Sequence, residues 1–198
     1  HGGSGISLGL IEAVRQINNK FKNAQLVHRL DKDTSGCIVL ALKRPILRKL
    51  NEEMREGRVE KNYLAVTNGE WPKDIKLVRS NLIKNLLRSG EREVQISSVG
   101  KESRTQFKLI QKTNTISLIE CKLLTGRTHQ IRVQTSSLGF PIIGDKKYGD
   151  SRINTIFKQK GVNRMLLHAK SISFPRFNLC CTAEEPEIFI KIMNENNG

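Results

Sequence analysis

Residues 26–36 read LVHRLDKDTSG, and residues 37–42 continue CIVLAL. Between two apolar segments the chain places His28, Arg29, Asp31, Lys32 and Asp33, followed by the small residues Thr34, Ser35 and Gly36. Apolar segments on both sides predict a charged loop held by rigid elements, a good setting for a reactive group. Thr34, Ser35 and Gly36 suit a tight turn whose hydroxyls can satisfy loop amides. Two roles stand open for Asp31: it caps this turn or pairs with Arg29, or it is the reactive carboxylate. The segment after it, CIVLALK over 37–43, reads as a buried strand.

Working outward, HGGSGIS at the start reads as a flexible glycine-rich loop, since it lacks the spacing of a phosphate-binding P-loop. Leu10, Ile11, Val14, Ile17 and Phe21 then share one helical face. Pro45 suits the first turn of a second helix, with an apolar stripe of Ile46, Leu47, Leu50 and Met54 and an end at Gly57. In KNYLAVTNG, Tyr63 and Ala65 face one way and Leu64 and Val66 the other. From Leu77 to Gly100 charge dominates, which predicts edge strands and an exposed basic loop. TQFKLIQ and ISLIECKLL flank KTNT as a hairpin. In TGRTHQIRVQTSSLGF, Thr128 is the expected helix cap and Gly139 the expected stop. IIGDKKYGD is turn-rich, MLLHAKSISF alternates like a strand, and the tail after Phe174 is expected to be short and irregular. Many strands, few helices and no βαβ rhythm predict an α+β fold: a mainly antiparallel mixed β-sheet with flanking helices and loops.

Lys and Arg total 34 against 19 acids, a formal charge of +15, and a chain this basic suits a polyanion. No secretory segment or long apolar span stands out, so no membrane partner is expected. Cys37, Cys121, Cys180 and Cys181 form no C-x-x-C pair; Cys37 and Cys121 lie in apolar runs and read as core residues of a reduced, cytoplasmic protein. His28, His129 and His168 lack helical zinc spacing and are expected to hydrogen-bond loops or phosphates rather than a metal.

A carboxylate buried without a partner takes up a proton and becomes a poor nucleophile. A nearby guanidinium keeps it ionised and orients it. Arg132, on the helix begun by RTHQIR, is one candidate, and Arg127 is the competitor, although a loop arginine in so basic a chain suits phosphate better. Arg132 as a solvated helix charge is the remaining alternative, and Tyr63 on its own reads equally as an ordinary core aromatic.

HRLDKDTSG (28–36), KNYLAV (61–66), GRTHQIRV (126–133) and RMLLHA (164–169), in this order, resemble the pseudouridine synthases of the large-subunit ribosomal RNA type. HGGSG, LLRSGER and GDKKYGD resemble that group as well, so the likeness covers nearly the whole chain. The resemblance implies a pseudouridine synthase-like fold and isomerisation of uridine in ribosomal RNA to its C-glycoside, with no cofactor and no metal. It makes Asp31 the nucleophile, Arg132 its ion-pair partner and Tyr63 the ring that stacks on the base and assists proton transfer. Arg29 would displace the target base from its stack, Arg127 would touch phosphate, and Ile131 and Leu167 would line the pocket. Whether Asp31 attacks the sugar or removes a sugar proton is left open.

The resemblance further implies one catalytic domain over 1–198, acting as a monomer on the large-subunit RNA or its precursor. The usual N-terminal strand and small RNA-binding domain are expected upstream of His1. The family often has histidine where Gln134 stands, so a substrate contact from that side chain is not expected. Lys76, Arg79, Lys84, Arg88 and Arg92 form the basic surface expected to select RNA. Two other classes compete. A metal-dependent nuclease would use Asp31, Asp33, Asp145 and Asp150 on magnesium. A non-catalytic RNA-binding module would rest on charge alone, with seven Phe and two Tyr leaving little for a stacking platform.

Overall fold

The computed structural model describes residues 9–86 and 92–196. HGGSG, and Arg88 with most of LLRSGER, lie outside the described residues, as does the side chain of Arg92.

The early chain forms α1 (Leu10–Ile17), β1 (Gln25–Leu26), β2 (Ser35–Gly36), β3 (Leu40–Ala41) and α2 (Arg44–Arg55). Then come β4 (Glu60–Asn68), β5 (Leu77–Leu86), β6 (Arg92–Ile96), β7 (Lys101–Lys112) and β8 (Ile116–Leu123). The chain continues through α3 (Gln130–Ser137), α4 (Ser151–Gln159), β9 (Leu167–Phe174), β10 (Leu179–Thr182) and α5 (Glu187–Glu195). Seven strands lie in the order β10-β9-β4-β8-β7-β5-β6, all antiparallel, and β2 adds a parallel pairing to β9. This is the expected α+β architecture, and its strand pairing is mainly antiparallel.

Alternation on β4 sets the two layers. Leu64 and Val66 join Ile116 and Leu118 of β8 on one face, under Phe157 of α4 and Phe189, Ile192 and Met193 of α5. Ala65 and partly buried Tyr63 face the opposite side, with Phe107, Ile119, Cys121, Trp71 and Ile131 of α3. A third cluster seats Leu50 of α2 on Val27, Cys37, Ala41, Ile172 and Phe174. The hairpin of β7 and β8 turns where Thr113 Oγ1 accepts from the amides of Thr115 and Ile116.

Four expectations need correction. CIVLALK is not one strand: Ser35–Gly36 pairs with β9, Leu40–Ala41 pairs with β1, and the extended residues between them cross from one sheet to the other. The α1 stripe is only partly inward, with Ile11 buried but Leu10 53% and Ile17 73% exposed. Phe21 belongs to a separate 3-10 turn at Asn19–Phe21, started by the Asn18 side chain. Thr128 does not cap α3. His129 does so by its backbone, at φ 52° with no side-chain cap, and Gln130 Oε1 reaches back to accept from the Arg127 amide instead. The tail is not irregular: β10 pairs with β9, and α5 buries three apolar side chains. Sinking a residue such as Phe189 completely contributes roughly 1.5–3 kcal/mol.

Candidate active site

The loop carrying Asp31 is clamped at both ends. Val27 N–H donates to Val39 O at 3.1 Å, and Val39 N–H donates to His28 Nε2 at 3.0 Å. His28 therefore presents an unprotonated Nε2, and burial pulls its pKa below the usual imidazole value. At the far end Gly36 has φ +106°, and a Cβ there would run into the Ala169 carbonyl. Only glycine lets this turn dock on β9, where Cys37 N–H donates to Ala169 O at 2.9 Å and Ser35 Oγ bonds His168 Nδ1 at 2.8 Å. Arg164 Nη2 adds a bond to Asp33 O at 3.1 Å.

α3 supplies the guanidinium. Gln134, fully buried, fixes that helix to the sheet: Thr105 Oγ1 donates to its Oε1 at 2.6 Å, and its Nε2 donates to Ser80 Oγ at 3.0 Å. Two residues earlier, Arg132 Nη1 donates to Asp31 Oδ2 at 3.2 Å. Arg127 spends its Nε on Glu102 O, so Arg132 is the arginine that reaches Asp31. Arg132 is only 11% exposed at its side chain and is not a solvated helix charge. The carboxylate of Asp31 therefore has an ion-pair partner from an element 101 residues away.

Asp145, in GDKKYGD, holds Arg132 in turn. Arg132 Nε donates to Oδ2 at 2.7 Å and Nη2 donates to Oδ1 at 2.8 Å, a two-pronged grip on a side chain 1% exposed. The amides of Lys147 and Tyr148 also donate to Oδ1. Burial raises the Asp145 pKa, but Arg132 and the two amides outweigh it and the net shift is downward. Burial works against the Arg132 charge, and Asp145 and then Asp31 overcome it, so the Arg132 pKa is raised. The Tyr148 ring lies 5.0 Å from the guanidinium carbon, and its hydroxyl bonds His129 Nδ1 at 2.8 Å. His129 Nε2 stands 3.9 Å from Asp31 Oδ1, and burial lowers its pKa.

These groups open on a cavity of about 280 Å³. All seven residues singled out from the sequence line it: Asp31, Tyr63, Arg132, Arg29, Arg127, Ile131 and Leu167. Tyr63 comes from β4, Leu167 from β9 and Ile131 from α3, so three elements build one wall set. Burial, and then the nearby Asp31, push the Tyr63 phenol up to about 12, so it stays protonated. A second groove of about 460 Å³ shares Gly126, Arg127 and Thr128 with this cavity and runs to Lys84 and Lys101. Lys76 instead lines a concavity built from exposed positions of β7 and β8.

The carboxylates of the nuclease alternative do not converge. Asp145 is held by Arg132, and the Asp150 side chain caps α4 by accepting from the amides of Arg152 and Ile153. Among the described residues no group of three His, Cys, Asp or Glu could hold a metal ion. His28, His129 and His168 each bond a loop or a neighbouring side chain, as expected. Sequence reasoning offers Asp145 only as a magnesium ligand of the nuclease alternative and gives Tyr148 no role; the structure makes both of them supports of Arg132. The signal was the glycine-flanked GDKKYG, where an acid among lysines reads as solvated.

The chain has counterparts among known proteins. Residues 11–137 match the family described as RNA pseudouridylate synthase, and the chain belongs to that family. The particular relatives are bacterial. The chain is 47% identical over 174 residues to Ribosomal large subunit pseudouridine synthase C of Haemophilus ducreyi, covering 88% of this chain and 54% of that protein. The protein of the same name from Escherichia coli is 45% identical over 176 residues, covering 88% and 55%. The chain thus spans about half the length of the curated relatives it matches. Among solved structures, Human RNA Pseudouridylate Synthase Domain Containing 1 superimposes with a TM-score of 0.75 at 28% identity, covering 98% of this chain and 80% of that one. Human RNA Pseudouridylate Synthase Domain Containing 4 gives 0.70 at 25% identity, covering 89% and 77%. Among the described residues no helix is long and apolar enough to cross a membrane.

Proposed function

We propose that this chain isomerises specific uridines to pseudouridine in large-subunit, 23S-type ribosomal RNA, with residues 1–198 working as one catalytic domain. The observation that carries the proposal is the ion pair of Asp31 with Arg132 in the cavity that Tyr63 also lines. A base stacked in a helix is out of reach, so the target must be flipped out at a cost of a few kcal/mol. Arg29, exposed at the rim, fills the vacated place. Tyr63 stacks on the extruded uracil between the apolar walls of Ile131 and Leu167. The cavity is just below the roughly 300–1,000 Å³ of sites for drug-sized ligands, which suits a single base.

Asp31 is the reactive carboxylate, acting as nucleophile on the sugar carbon or as base on a sugar proton, and Arg132 aims it through a hydrogen bond. The bond from the sugar C1' to N1 breaks, the captive base turns over and C1' bonds to C5; C5 then gives up its proton and N1 takes one up, so the product is an isomer of the substrate. The reaction is an isomerisation with no net redox change, so a carboxylate in a water-poor pocket suffices and no cofactor or metal is required. Arg127 and the groove toward Lys84 carry the RNA backbone. The protein works as a cytoplasmic monomer on the ribosomal RNA or its precursor.

The test is a map of carbon-linked uridines in ribosomal RNA from cells lacking this protein. Defined large-subunit sites should lose the modification, regain it with the wild-type chain and stay unmodified with Asp31→Asn. An unchanged map in the deletion strain would reject the proposal.

A further inference from the structure

Lys61 is a further basic residue at this cavity. It lies on β4 two residues before Tyr63 and lines the same cavity. Among the described residues its ammonium has neither a hydrogen bond nor an ion pair, although its backbone lies in the ladder with β9. Its neighbours differ: Lys122 on β8 pairs with Glu60 at 3.0 Å, and Lys112 pairs with Glu70. Burial also depresses the Lys61 pKa below the ordinary lysine value, since nothing compensates its charge. A desolvated ammonium with no acceptor is costly, which points to a partner that arrives from outside.

The second observation is at Gly126. A Cβ there would stand 3.1 Å from Lys61 Nζ, so the ammonium rests against the backbone of the loop before α3 and a side chain at 126 would crowd it. Among the described residues Asp31 is the only carboxylate lining the cavity, and Arg132 already holds it. Arg29, Lys61 and Arg127 therefore face the cavity with no acid to neutralise them. Gly126, Arg127 and Thr128 also line the groove that runs to Lys84 and Lys101. Gly126 therefore borders both the groove and the cavity beside Lys61, where a backbone phosphate of a bound strand would complement the ammonium.

We infer that Lys61 is a substrate-binding residue that takes a phosphate flanking the flipped uridine, through the gap that Gly126 leaves open. This rests on the isomerase proposal for the identity of the RNA, and binding measurements test it apart from turnover. The probe is a synthetic RNA carrying the mapped uridine, with or without a neutral methylphosphonate at each flanking position. Lys61→Met should weaken binding about 10- to 100-fold, the value of a hydrogen bond to a charged group. Its salt dependence should lose about 0.7–0.9 in log–log slope, one phosphate contact. One methylphosphonate position should weaken the wild type by a similar factor yet leave Lys61→Met unchanged, and Lys61→Arg should retain most of the affinity. Lys61→Met removes an unpaired charge, so its melting temperature should not fall, which separates the effect from misfolding. The inference is overturned if Lys61→Met binds like the wild type, or if every methylphosphonate weakens both proteins equally. Conversion of unmodified RNA by the wild type reports on the isomerase proposal separately.

Discussion

Replacing Asp145 by asparagine removes one charge from an almost fully buried site and keeps the side-chain shape. In the wild type, Arg132 gives two hydrogen bonds to Asp145 and one to Asp31. The asparagine NH₂ would face guanidinium N–H groups, donor against donor, and leave the cation with one carboxylate instead of two. Removing one partner from a buried ion pair costs about 3–5 kcal/mol, a large part of the roughly 5–15 kcal/mol that holds a domain folded. The urea midpoint should fall by about 1–2 M. Turnover should fall by about 10², the usual consequence of moving a catalytic group by an ångström, while RNA affinity changes little. The assay pairs urea unfolding with single-turnover pseudouridine formation. Arg132→Met combined with Asp145→Leu should recover part of the stability, because an apolar pair replaces an ionic one while the Lys147 and Tyr148 amides lose their acceptor, and should remain inactive. Asp145→Asn with stability within ~0.5 kcal/mol and turnover within twofold of wild type would refute the reasoning, since such changes are typical of surface sites.

Three further outcomes follow from the same geometry. Gly36→Ala should destabilise by more than the roughly 1–2 kcal/mol of left-handed strain alone, because its Cβ meets Ala169, and turnover should collapse with the displaced Asp31 loop; Gly57→Ala, at φ +68° in open space, should cost only the strain and keep turnover, and equal effects in the two variants would contradict this. His28, His129 and His168 all have pKa values lowered first by burial, so their neutral forms favour the fold: that stability is present above about 6.5 and is lost as pH falls through the lowered values. Melts that do not change between pH 8 and pH 5 would count against it. Tyr63→Phe should keep RNA affinity, whereas Tyr63→Ala should lose about 1–3 kcal/mol of stacking; equal loss in both would remove the stacking role.

Much of this arrangement is legible in the sequence because it is local. The two-residue alternation around Tyr63 assigns that side chain and Leu64 to opposite layers, and the packing agrees. The charged loop between apolar segments is clamped at both ends, as LVHRLDKDTSG suggests. What is not legible is set by partners distant in the chain. Asp145 sits beside Lys146 and Lys147 and looks solvated; only the folded chain brings Arg132 onto it. CIVLALK has one apolar pattern, yet its two ends answer to different strands, and no periodicity encodes that division. His129 adopts φ 52°, a conformation that a capping rule based on Thr128 does not foresee. The tail after Phe174 reads as irregular in the sequence, yet the α5 stripe buries Phe189 and Ile192 completely. Lys61 was visible in KNYLAV, but its missing partner is a property of the cavity and not of the motif.

The most direct measurement is single-turnover conversion by Asp31→Asn alongside its RNA affinity. Arg132 remains anchored by Asp145 in this variant, so the fold and the cavity persist. The account predicts affinity within a few-fold of wild type and no detectable carbon-linked uridine. Pseudouridine formed at the wild-type rate by Asp31→Asn would contradict it.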